Sequence, residues 1–121
     1  MWTYGQRSGT LYDATDHYIA MGYSGYGLCK NDPAAQDRRH EGPIPRGLYT
    51  IEAPVDTKTH GPYVLWLVPD AENEMCGRSA FGLHGDSLVA PGHASEGCVI
   101  LPRLVRQRIW HSDDHRLRVV A

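Results

Sequence analysis

A chain of 121 residues with 41% apolar content suits a single domain with its own core, one that needs neither disulfides nor metal to fold. Its net charge of −2 with neutral histidines argues against a nucleic-acid binder, which shows a basic face, and no apolar run approaches the roughly 18 residues of a membrane span. Thirteen glycines and eight prolines, with seven tyrosines and three tryptophans against one phenylalanine, point to a turn-rich, mostly β protein.

At the N-terminus, MWTYGQRSGTLYD lacks a basic segment followed by an apolar run, so no cleavable secretion signal is expected. Met1 to Tyr12 reads as a hairpin, with Trp2 and Tyr4 alternating with polar neighbours and Arg7-Ser8-Gly9 as the turn. His17 to Tyr23 is the next candidate strand. Asn31 to Glu41 is polar and reads as a loop with at most one short helical turn. Gly42 to Glu52, GPIPRGLYTIE, combines two prolines that preset an extended lead-in with the strand formers Leu48 to Ile51. Tyr63 to Val68, YVLWLV, is nearly all apolar and reads as a central strand buried on both faces. Phe81 to His84 is a short strand. Pro102 suits a first helical position, and Leu101, Leu104, Val105 and Ile109 fall at helical spacing, which predicts a helix from about 102 to 110. Arg103, Arg106, Arg108, Arg116 and Arg118 sit among Asp113 and Asp114 and read as a solvated face. Leu117 to Val120 closes the chain as a strand.

The chemistry concentrates in His84 to Leu101, HGDSLVAPGHASEGCVIL. Three cysteines, Cys29, Cys76 and Cys98, leave at least one thiol unpaired; the simplest division makes Cys29 and Cys76 a possible disulfide and Cys98 the free thiol. In a reducing cytosol all three are thiols. A thiol becomes a strong nucleophile once ionised, and a neighbouring histidine can take its proton to leave a thiolate–imidazolium pair. His84 precedes Cys98 by 14 residues, a distance that a strand end, a loop and a return can close. Gly97 lets the backbone turn and aim amide N–H groups at a developing oxyanion, and a helix starting just beyond Cys98 would favour a thiolate. The competing readings are a Cys98 that is simply a small buried hydrophobe, and a zinc site built from His84, Asp86 and His93 with Cys98 as a fourth ligand. The latter has suitable ligand types but matches neither a helical histidine pair nor a Cys-x-x-Cys knuckle.

His84-Gly85, a spacer, and Ser95-Glu96-Gly97-Cys98 resemble the signature of the L,D-transpeptidase catalytic domain. Pro43-Ile44-Pro45-Arg46-Gly47-Leu48-Tyr49-Thr50-Ile51 resembles that family's upstream strand. Glu96 stands where the family has a histidine, and Ile100 where an arginine usually follows the cysteine. With the opening Trp2-Thr3-Tyr4, these departures resemble a narrower branch, the L,D-transpeptidase-related effector toxins of the type VI secretion system. The resemblance runs from Trp2 to past Arg103.

The resemblance implies one L,D-transpeptidase-like domain over 1–121, mostly β and sandwich-like with one helix. It implies peptidoglycan stem peptides as substrate, with Cys98 attacking the carbonyl between an L-centre and a D-residue. Water would then release a trimmed stem (L,D-carboxypeptidase activity), and an amine would give exchange or a crosslink (L,D-transpeptidase activity). His84 maps onto the base, the Gly85 carbonyl onto its orienting group, and the Gly97 and Cys98 amides onto the oxyanion hole. Ser95, Glu96 and one of Arg46, Arg78 or Arg103 are the expected substrate contacts, with Ser95 and Asp86 chiefly bracing their loop. Neither a metal nor another cofactor is called for. A toxin of this kind would be made in the cytoplasm without a signal peptide and delivered by secretion machinery to the target's periplasm. A cognate immunity protein is its expected partner. A non-catalytic wall-binding module that retains the fold is the remaining alternative.

Overall fold

The computed structural model describes all of residues 1–121. It is mostly β with one α-helix, as the composition and strand patterns predict. The predicted N-terminal hairpin is present. Strands β1 (Trp2–Gly5) and β2 (Thr10–Tyr12) pair antiparallel with Tyr4 opposite Leu11, and both of these side chains are fully buried. The segment read as one strand over 17–23 divides into β3 (Tyr18–Met21) and β4 (Tyr23–Ser24). Gly22 makes the break, because a Cβ there would lie 1.9 Å from the Ile100 carbonyl oxygen.

The remaining strands are β5 (Gly47–Ile51), β6 (Val55–Thr57), β7 (Gly61–Pro69), β8 (Gly82–His84), β9 (Val99–Ile100) and β10 (Arg116–Val120). Hydrogen bonds link them in the order β3-β2-β1-β10-β5-β7-β8-β9-β4, with β6 pairing off β7. The two ends of this path, β3 and β4, are joined through Gly22 alone. The sheet therefore folds back around the core as a sandwich, and little edge is left open. β10 lies parallel to β1 and antiparallel to β5, so the last strand sits inside the sheet.

The core is built from the inward faces of these strands, including Tyr49, Ile51, Leu65, Leu83, Val99 and Leu117, with Ile109 from the helix. β7 is central, but burial on both faces is confined to Val64 and Leu65. Trp66 is half-buried and Val68 exposed, since the second face is uncovered beyond that point. Helix α1 (Arg103–His111) falls where predicted, with its stripe turned by one position. Leu104 points to solvent at 78% exposure, while Arg106 and Ile109 are buried. The polar segment after β4 holds two short 3₁₀ turns, Gly27–Cys29 and Pro33–Ala35, the second capped by the Asp32 carboxylate accepting from Ala34 N–H at 3.0 Å. Cys29 and Cys76 do not form the disulfide that the count allows; both are half-buried free thiols.

Candidate active site

β8 and β9 run parallel, with Leu83 opposite Val99 and His84 opposite Ile100. Leu83 and Val99 are buried, and burial of each such side chain stabilises the register by about 1.5–3 kcal/mol. Continuing that register places Cys98 beside Gly82. Alternation along the strands then puts Cys98 and His84 on one face, opposite to Leu83 and Val99. The Cys98 sulfur, the His84 ring and the His60 ring have their nearest reactive atoms within 4.8 Å of one another. The sequence thus brings together the thiol and imidazole expected of it, and a second imidazole that it did not announce.

His84 is oriented as the resemblance implies, with its Nδ1 2.8 Å from the Gly85 carbonyl oxygen. A carbonyl oxygen only accepts, so Nδ1 carries the proton and Nε2 keeps its lone pair. Burial, chiefly, holds the His84 imidazole below its ordinary range, and His60 and Arg106 add to this against the Gly85 hydrogen bond. Burial likewise pushes the Cys98 thiol up to about 11, with the Glu96 carboxylate adding in the same direction and the Gly82 amide and Arg78 opposing. Both shifts favour the neutral forms, so burial works against a thiolate–imidazolium pair at rest. The helix does not alter this, because α1 begins only after β9, Leu101 and Pro102 and its positive end is not at the sulfur.

The backbone around the thiol is braced by Ser95, which is buried. Its hydroxyl donates to the Cys98 carbonyl and accepts from Gly25 N–H at 2.9 Å and Gly97 N–H at 3.1 Å. Two corrections follow. Ser95 has no capacity left for substrate, and the Gly97 amide is already engaged. The Cys98 amide makes no hydrogen bond within the protein. Ser24 ties the same loop to β4 and to Ile44, its hydroxyl donating to the Gly97 carbonyl at 2.8 Å.

Arg78 is a further correction. It is buried, and its Nη1 and Nη2 donate to the carbonyls of Gln36, Pro43, Gly42 and Glu96 at 2.6–3.0 Å. The guanidinium clamps the 36–43 loop to the cysteine loop and has no Nη proton left for a substrate carboxylate. Arg46 lies away from the thiol, donating to Gln6 Oε1 at 3.0 Å. Arg103 is exposed on the wall of the larger cleft, over the Tyr63 ring at 5.5 Å. The exposed Glu96 carboxylate forms no ion pair with any arginine.

The proposed zinc set does not assemble. The Asp86 carboxylate accepts from Tyr23 Oη at 2.6 Å and from the amides of Ser87 and Gly92, which makes it the organiser of its loop. His93 stacks edge-on to Tyr26 at 5.9 Å. The residues that do offer metal-ligand atoms at one point are His60, His84 and Cys98.

Two clefts meet at this point. One of about 1430 Å³ is lined by His60, His84, Gly85, Arg103 and Arg106 among others; one of about 380 Å³ is lined by Cys98, Gly97, Phe81 and Ser79. His84, His60 and Glu96 border both. The sulfur opens to the smaller cleft and the base faces both, which suits a reaction that brings two groups to one atom.

A family model described as the Tlde1 domain matches residues 18–121. The chain belongs to the Tlde1 domain family, the L,D-transpeptidase effector family of type VI secretion. No curated protein sequence matches it. Among solved structures, the Tlde1 domain is similar to an L,D-transpeptidase (Yku) from Stackebrandtia nassauensis, with a TM-score of 0.57 at 15% identity. That match covers 99% of this chain and 54% of the other, so the chain spans about half the length of that protein. At this identity the likeness establishes the L,D-transpeptidase-like fold, and it includes β1 and β2, which lie outside the family match.

Sequence reasoning missed His60 and Arg106. His60 sits in the turn between β6 and β7, where its N–H donates to Thr57 Oγ1 at 2.8 Å, and nothing local sets it apart from six other histidines. For Arg106 the one available signal was its spacing of three from Ile109, which places both on the buried face of α1.

Proposed function

We propose that the protein modifies peptidoglycan stem peptides by acyl transfer through Cys98, as a secreted antibacterial effector. The observation that carries this reading is the buried Cys98 thiol beside His84, whose Nδ1 is held by the Gly85 carbonyl and whose Nε2 is thereby left to accept a proton.

On this reading Cys98 Sγ attacks the carbonyl carbon between an L-centre and the terminal D-residue while His84 Nε2 takes the thiol proton. The neutral resting pair means that the proton moves as the sulfur–carbon bond forms, so substrate binding has to supply the desolvated approach. The Cys98 N–H donates to the oxyanion. Collapse of the tetrahedral intermediate breaks the carbon–nitrogen bond, and the imidazolium returns its proton to the departing amine. A thioester is left on Cys98. Water activated by His84 then gives a trimmed stem and free thiol, whereas an incoming amine gives exchange or a crosslink. His60 borders both clefts and packs edge-on to His84 with ring centroids 5.0 Å apart, a position from which it sets the orientation of the base. Glu96, exposed and unpaired at the junction, is suited to an incoming or departing ammonium. Delivery to a target cell's periplasm, and a cognate immunity protein that blocks the clefts, complete the proposal.

The test is incubation of purified protein with tetrapeptide muropeptides, alone and with a free D-amino acid foreign to the stem, followed by mass spectrometry. Tripeptide products signal hydrolysis, and stems bearing the foreign residue signal exchange. Unchanged substrate under both conditions, from folded protein, would sink the proposal.

A further inference from the structure

Arg106 is an anomaly that the acyl-transfer chemistry does not use. Its guanidinium is buried, with 4% of the residue exposed, yet no carboxylate pairs with it. The Arg103 cation adds repulsion. A buried cation without a counter-ion is costly unless its donors are met. Here they are met on one side only. Nε donates to the Leu101 carbonyl at 3.1 Å, and Nη1 to the carbonyls of Pro62 at 2.9 Å and Tyr63 at 2.6 Å. These three bonds come from two separate segments and fix the plane of the group.

Nη2 has no partner in the protein. It is not sealed in either: the one sealed side-chain polar atom without a partner is Tyr4 Oη, and Arg106 forms part of the wall of the larger cleft. Nη2 lies directly over Gly85, where a Cβ would come within 2.9 Å of it. A glycine beside the base therefore leaves open a preorganised pair of N–H donors that face the cleft next to His84.

We propose that Arg106, through Nη2, binds the C-terminal carboxylate of the stem peptide and so places the scissile carbonyl against Cys98; this rests on the stem-peptide reading above. In a terminal D-residue the carboxylate carbon is separated from the scissile carbonyl carbon by one nitrogen and one Cα, a span of about 3–4 Å. A donor for it has to stand close to the base, as Arg106 does over Gly85 and Arg46, which lines neither cleft, does not. Arg78 has its Nη donors committed. Arg103 is exposed and must be ordered before it can bind, whereas Arg106 is already held in place. With no internal carboxylate to displace, the incoming anion meets an uncompensated cation.

The test uses Cys98→Ala protein, which binds without turning over. Calorimetry compares a tetrapeptide stem ending in a free carboxylate with the same stem ending in a carboxamide. The acid is expected to bind about 10- to 100-fold more tightly. Arg106→Gln should reduce that ratio to near one, and Arg103→Gln should preserve it. If Arg106→Gln fails to fold in a thermal melt, Gly85→Ala replaces it. The added methyl displaces Nη2 without removing the charge, and the ratio should again collapse. Equal binding of acid and amide by the Cys98→Ala protein, or a ratio that survives Arg106→Gln or the replacement Gly85→Ala, would overturn the assignment. Selective acid binding by a protein that, with Cys98 intact, releases no product would sink the acyl-transfer reading and leave Arg106 standing. Product formation without acid preference does the reverse.

Discussion

The buried, neutral state of Cys98 leads to a prediction opposite to that for a cysteine enzyme with a resting ion pair. Burial raises the thiol from an ordinary 9.0 to about 11. At about pH 7.5 the thiolate fraction falls from about 3 in 100 to about 3 in 10,000, a change of about 100-fold. Since the thiolate is the reactive form, alkylation of Cys98 by iodoacetamide should be slow at neutral pH. The rate should climb without a plateau until the pH passes about 11. The fold favours the protonated, neutral form, so reactivity appears only as pH rises through the elevated value. Peptide-resolved mass spectrometry separates Cys98 from Cys29 and Cys76, and the guanidinium-unfolded protein supplies the unshifted reference. The midpoint is the readout, because limited access to the sulfur lowers the rate equally at every pH. A rate that plateaus below about pH 7 would instead establish a thiolate–imidazolium pair at rest.

Gly97→Ala should abolish activity and destabilise the fold, because Gly97 has φ +140° and a Cβ there would lie 2.6 Å from both Arg78 Nη2 and Phe81 Cε1; a thermal melt and the muropeptide assay read the two effects. Arg78→Met should cost about 3 kcal/mol or more, since it strands four carbonyls that now accept from the guanidinium. Denaturant unfolding measures that loss, and an unchanged midpoint would contradict the clamp. His60→Ala should raise the titration midpoint of His84, because His60 is one of the groups holding it down. Histidine ring signals followed by NMR across pH will show whether the midpoint moves.

The strands were legible in the sequence where local chemistry alone decided them. Trp2 and Tyr4 alternate around a turn. Pro43 and Pro45 preset the approach to β5. The bounded apolar run at 63–68 marked a strand, although only Val64, Leu65 and Leu67 of it are buried. His84 and Cys98 could be paired from sequence because a strand end, a loop and a return can close the 14 residues between them, and because the two motifs resemble the L,D-transpeptidase signature. What was not legible depended on contacts made across long stretches of chain. Arg78 reads as a substrate contact and Arg106 as a solvated charge until the carbonyls that wrap them are brought in from Gln36, Pro43, Pro62 and Tyr63. The spacing on α1 defined a stripe without saying which edge of it turns inward, so Leu104 and Arg106 exchanged places. The oxyanion assignment failed in part at Gly97 because Ser95, two residues before it, competes for the same amide. His60 enters the site only through the closure of the β6–β7 hairpin.

Whether Cys98 performs the chemistry without a metal is decided by product release from a tetrapeptide muropeptide, comparing wild type with Cys98→Ala, and wild type treated with a thiol-blocking reagent with wild type treated with EDTA. The substitution and the thiol block should each eliminate product while the chelator has no effect. A Cys98→Ala protein as active as wild type, or activity lost to EDTA and resistant to the thiol reagent, would contradict metal-free catalysis by Cys98.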